Sequence, residues 1–133
     1  MILGIGIDSV ENARFLPWAQ EDPARLLRIF HADELEYCFK APIKTAERLA
    51  ARFAAREACF KALAPHCLRQ LPFLTLCKMM WVNNLSSGAP DLIIDWDSLK
   101  TQGFFHAEFP PKAHISLTHT GFQATAIVIL EHP

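Results

Sequence analysis

At 133 residues, 51% of them hydrophobic, the chain fits one domain spanning 1–133 and can bury a core without disulfide or metal staples. A formal net charge of −1 supplies no broad basic surface, which argues against a nucleic-acid partner. No apolar run approaches the roughly 18 residues of a membrane span and the first residues lack a secretion signal, so a soluble, cytoplasmic protein with no membrane partner is expected.

Ile2-Leu3-Gly4-Ile5-Gly6-Ile7 reads as a short β-branched strand whose alternate glycines let another backbone come close, with Asp8 at its end. From Val10 to Phe39 the pattern turns helical, interrupted at Pro17 and restarted where Asp22 can cap and Pro23 can take the first helical position. Thr45 is expected to cap the longest helix, an alanine-rich stretch running to about Ala64 and stopped by Pro65. Thr75 to Val82 reads as a strand, 83–88 as a turn, and Asp91 to Trp96 as the returning arm of a hairpin. Strands near Ala113 to Thr118 and Ala124 to Leu130 close the chain. Cys38, Cys59, Cys67 and Cys77 form no C-x-x-C pair and read as reduced thiols.

On a helical wheel Ala46, Ala50, Phe53, Ala54, Glu57, Lys61 and Ala64 share one arc, with Arg48 and Arg52 opposite. This places Glu57 and Lys61 in the apolar stripe. The plainer reading is an i, i+4 salt bridge worth a few tenths of a kcal/mol. The sharper one is a metal site, because a desolvated carboxylate needs a compensating cation. Asp8 alone is an ordinary turn residue, but magnesium takes only one or two protein carboxylates, and Asp8 with Glu57 would suffice. In 114–120, Ile115 and Leu117 alternate with His114, Ser116 and Thr118. That polar face suits either phosphate oxygens or plain solvent. Arg14, Arg25 and Arg28, interleaved with Leu26, Leu27, Ile29 and Phe30, form either a solvated face or a dock for an acidic helical partner.

Three segments together resemble the holo-(acyl carrier protein) synthases. They are Gly4-Ile5-Gly6-Ile7-Asp8 with Glu11 and Arg14, Arg52-Phe53-Ala54-Ala55-Arg56-Glu57-Ala58 with Lys61-Ala62-Leu63, and Ser116-Leu117-Thr118-His119-Thr120. The resemblance implies an α+β, phosphopantetheinyl-transferase-like fold, a small antiparallel sheet packed on one long helix, assembled as a homotrimer with active sites between subunits. It implies transfer of 4′-phosphopantetheine from coenzyme A to a serine of an apo acyl carrier protein, releasing adenosine 3′,5′-bisphosphate. Asp8, Glu57 and Lys61 match the family's catalytic residues, Asp8 and Glu57 being its magnesium ligands and Lys61 the lysine near the diphosphate. His114, Ser116, Thr118 and His119 match the strand that helps bind coenzyme A, and Arg14, Arg25 and Arg28 match the surface for the acidic carrier. A non-catalytic member binding carrier or coenzyme is the alternative. Two departures stand out. Arg56 replaces a common lysine, and Ala64-Pro65-His66-Cys67 stands where the family usually carries Gly-Thr-Gly.

Overall fold

The computed structural model describes Met1–Pro133. Its first strand, β1, spans Ile2–Glu11. The strand continues beyond the expected end at Asp8 because Ser9, Val10 and Glu11 still pair with Thr125, Ala124 and Gln123, and the Ser9 and Thr125 hydroxyls bond at 2.6 Å. Asp8 therefore lies inside the ladder, opposite Ala126. A 3₁₀ turn, Asn12–Phe15, leads into α1, Leu16–Ala19. Helix thus begins two residues later than predicted, and Pro17 sits in the first turn of α1, where a missing N–H does no harm. Asp22 accepts from Ala24 N at 3.0 Å, as a cap should, and opens the 3₁₀ segment Pro23–Arg28. α2 follows over Ala32–Phe39.

The long helix α3 runs Thr45–Leu63. Thr45 does not cap it: the residue is buried as the first helical position, and its hydroxyl faces the Ala41 carbonyl at 3.5 Å. At the far end the chain tightens into a 3₁₀ turn, Ala64–His66, with Pro65 inside it, instead of stopping abruptly. The strand predicted over Thr75 to Val82 is divided. Phe73–Cys77 is α4, begun after Pro72, and only from Met80 does β2, Met80–Asn84, pair with β3, Pro90–Ile94. The turn between them contains Gly88 at φ 86°, a conformation suited to glycine. Asp95 then starts α5, Trp96–Thr101, by accepting from Ser98 N at 3.0 Å and from Ser98 Oγ at 2.7 Å. These bonds hold its carboxyl below the usual range.

β4, Lys112–His119, and β5, Gln123–Glu131, complete an antiparallel sheet of order β1-β5-β4. This is the α+β arrangement expected, with α3 laid across one sheet face. Ala124, Ala126, Val128 and Leu130 of β5 point at the helix and are completely buried. Register carries that face outward to Gly4, Gly6, Asp8 and Val10 on one side, and to Ala113, Ile115, Leu117 and His119 on the other. The glycines set the spacing. A Cβ on Gly6 would stand 1.8 Å from the Ala58 carbonyl oxygen, and one on Gly4 would stand 2.1 Å from that of Ala62.

α3 is enclosed on most sides, so wheel polarity does not select its buried face. Arg52 and Arg56 are buried, at 4% and 0% exposure, whereas Glu57 is half-buried and Lys61 exposed. The arc read as an apolar stripe therefore opens to solvent at Glu57 and Lys61. Uniform small alanines are the reason, since they suit the interior on every side of the helix.

Candidate active site

The close approach of β1 to α3 builds the site. Glycine at positions 4 and 6 lets the strand ride against the turn of helix between Ala58 and Ala62, which brings Asp8 to Lys61. Lys61 Nζ donates to Asp8 Oδ1 at 3.0 Å and to the Ile7 carbonyl at 2.9 Å. The Asp8 carboxylate is mostly covered, at 16% exposure, while the lysine stem reaches it from solvent at 51%. Solvent screening keeps such a bridge within the small range of surface pairs.

Glu57 stands one turn before Lys61. Burial pushes its pKa up, the nearby Asp8 carboxylate pushes it further, and Lys61 and Arg14 pull it back. The four groups thus form one electrostatic cluster. Arg14 follows β1 and its guanidinium lies 4.9 Å from the centre of the Phe53 ring, one turn before Glu57. It adds positive charge to this cluster while remaining exposed. Two hard carboxylates on facing elements, whose mutual repulsion raises one of them, form a donor set that a small divalent cation would relieve. The adjacent lysine and arginine add positive charge for phosphate oxygens.

The other residues singled out in the sequence lie elsewhere. Arg25 is exposed and bridges Glu21 at 3.5 Å, and Arg28 shares its 3₁₀ segment. His114, Ser116 and Thr118 alternate with Ile115 and Leu117 as the spacing predicts, and register puts them on the sheet face turned away from α3. Asp8 is on the other face, so one chain does not unite them. His114 Nε2 meets Glu131 at 2.8 Å, while His119 faces α3 and pairs with Glu47. Ala64-Pro65-His66 forms the exposed turn just past Lys61, with His66 Nε2 beside Gly4.

A second basic site escaped the sequence reading. A pocket of about 240 Å³ is lined by Lys44, Arg48, Arg52, Asn84, Tyr37 and His119, among others. Arg48 and Arg52 stack on the Tyr37 ring, at 4.1 and 4.4 Å from its centre. Arg52 Nη2 reaches Asn84 Oδ1 at 3.4 Å while its buried Nε has no partner, and Glu47, paired with His119, is the one acid in the lining. The i, i+4, i+8 spacing of Lys44, Arg48 and Arg52 is the signal that could have found it.

A sequence model of the 4′-phosphopantetheinyl transferase superfamily matches residues 4–113. A holo-[acyl-carrier-protein] synthase of Trichlorobacter lovleyi is 41% identical over 134 residues, covering 100% of both chains. The synthase of Treponema denticola is 38% identical over 131 residues, covering 98% of this chain and 99% of its own. Among solved structures, the Bacillus anthracis holo-(acyl-carrier-protein) synthase in complex with CoA (3′,5′-ADP) superposes with a TM-score of 0.75 at 27% identity, over 100% of this chain and 99% of that one. The Mycobacterium tuberculosis acyl carrier protein synthase gives 0.70 at 28% identity over the whole of both chains.

Proposed function

The chain belongs to the 4′-phosphopantetheinyl transferase superfamily, and from that membership we propose that it transfers 4′-phosphopantetheine from coenzyme A to a serine of an apo acyl carrier protein. The observation that carries this reading is the union of Asp8, Glu57, Lys61 and Arg14 where β1 meets α3.

In this reaction the serine Oγ attacks the phosphorus that bears pantetheine. Its bond to the bridging oxygen breaks, and adenosine 3′,5′-bisphosphate leaves. Lys61, beside Asp8, would bind the diphosphate and offset the charge that grows on the leaving phosphate. The serine proton passes to Glu57 or to a water that Glu57 holds. Asp8 and Glu57 fit magnesium, which when bound would neutralise phosphate charge and fix its orientation. Release of one adenosine 3′,5′-bisphosphate for each coenzyme A consumed, dependent on both carrier and magnesium, tests the chemistry.

The Lys44, Arg48 and Arg52 pocket suits the nucleotide end of coenzyme A, whose 3′-phosphate seeks cations. Arg52→Gln should raise the KM for coenzyme A about tenfold or more while leaving that for carrier nearly unchanged. Equal effects on both would remove the pocket from coenzyme binding.

Lys61 and Arg48 are 13 positions apart on α3, about 20 Å along the axis and on nearly opposite sides of it. This supports a site assembled between copies of the chain, with the cluster of one protomer facing the pocket and strand of its neighbour. His114, Ser116, Thr118 and His119 would then reach the coenzyme from the adjacent subunit. The sheet face turned from α3 supports such assembly, because Ile5 and Ile7 leave 55% and 58% of their surface open beside Ile127 and Ile129. A homotrimer is our reading. We also place the enzyme in the cytoplasm, where reducing conditions suit its four free cysteines, and treat 1–133 as one domain.

Arg14, Arg25 and Arg28 supply the positive charge that an acidic carrier would meet. Charge reversal at Arg28 should raise the KM for carrier severalfold and leave that for coenzyme A unchanged, with added salt weakening the same step in the parent enzyme. A solvated face with no partner would show neither effect.

A further inference from the structure

The 3₁₀ segment carrying Arg25 and Arg28 has little to hold it. Of Pro23–Arg28 only Leu26 is buried, and 3₁₀ hydrogen bonds are weak ones. Directly behind it, however, the chain meets a fully buried arginine. Arg56 Nε donates to the Ile29 carbonyl at 2.5 Å, and its guanidinium stands 4.9 Å from the centre of the Phe30 ring. Nη1 and Nη2 grip Glu34 at 2.9 and 2.5 Å, and the same Glu34 carboxylate accepts from His31 N at 2.9 Å and from Val82 N at 3.1 Å. The remaining donors reach the Arg52 and Met80 carbonyls at 3.3 and 3.2 Å. Ile29, Phe30 and His31, the three residues after Arg28, are thus each held by Arg56 or through Glu34.

We propose that Arg56, with Glu34, is a positioning residue for carrier docking: it fixes the rear of the Arg25–Arg28 segment to the helix that presents Glu57. This rests on the reading of Arg28 as a docking cation. Arg56 and Glu57 are consecutive, so one helical turn holds both the buried fork and the reacting carboxylate. A lysine at 56 would keep the charge, but its single nitrogen cannot reach Ile29, both oxygens of Glu34 and Met80 together. Loosening should therefore appear at the docking segment, while the β1 and α3 contacts around Glu57 remain.

The test compares Arg56→Lys and Glu34→Asp, both of which keep the buried charges, with Arg28→Glu as control. Expected for the first two is a rise in carrier KM of about fivefold to tenfold, coenzyme KM and kcat within about twofold, and amide exchange over 23–31 faster by about tenfold. Arg28→Glu should raise carrier KM without changing exchange. If Arg28→Glu has no effect, the docking reading itself fails. If it raises carrier KM but Arg56→Lys and Glu34→Asp do not, the positioning role is overturned. A uniform fall in kcat and both affinities, or loss of the fold in both variants, also overturns it.

Discussion

Glu57→Ala is expected to reduce kcat/KM for carrier modification by about a thousandfold or more without lowering thermal stability, because the position is tuned for charge and not for packing. In the folded chain burial and Asp8 raise the Glu57 pKa, so its ionised form opposes folding above that value. At neutral pH the alanine removes that penalty, and Tm should stay level or rise. Asp8→Ala should show a comparable loss of turnover, while Lys61 keeps the Ile7 carbonyl as its partner. Activity assays over a magnesium titration, run beside thermal unfolding, read both properties. Full turnover by Glu57→Ala in magnesium would remove the metal assignment, since Asp8 alone makes a poorer site.

Gly6→Ala should act through structure instead. The new Cβ would meet backbone, with the Ala58 carbonyl oxygen at 1.8 Å, its carbon at 2.8 Å and Ala62 N at 2.9 Å. No rotamer change relieves that, so β1 must separate from α3. The expected loss is about 3 kcal/mol or more, on the order of 10 °C in Tm, with activity falling as Asp8 leaves Lys61. Urea unfolding measures it. Native stability in this variant would mean that strand and helix do not pack as closely as described.

These two results concern the parts of the molecule that the sequence displays best. Alternation in 114–118, the glycines before Asp8 and the unbroken alanine-rich run announce the sheet and helix that form the site. α4 was hidden because the strand signal of Trp81 and Val82 was extended back through Thr75, and a five-residue helix is too short to display a helical period. α5 did leave a local mark, the Asp95 and Ser98 spacing of an N-cap. Burial of Arg56 left none. Its partner Glu34 lies 22 residues away, so only the tertiary fold reveals why an arginine suits a closed interior. For the same reason the sequence did not show that Arg14 also stands over the ring of Phe53, one helical turn before Glu57. The wheel misjudged α3 because it assumes one wet side, and this helix is enclosed on most of them.

The most direct test of the account is the intact mass of an apo acyl carrier protein after incubation with this enzyme, coenzyme A and magnesium. The account predicts that the carrier gains one phosphopantetheine on its serine, that a chelator prevents the gain, and that Glu57→Ala leaves the carrier unmodified. An unchanged carrier mass, from folded enzyme that still binds coenzyme A, would contradict it and make this chain a binding member of a catalytic family.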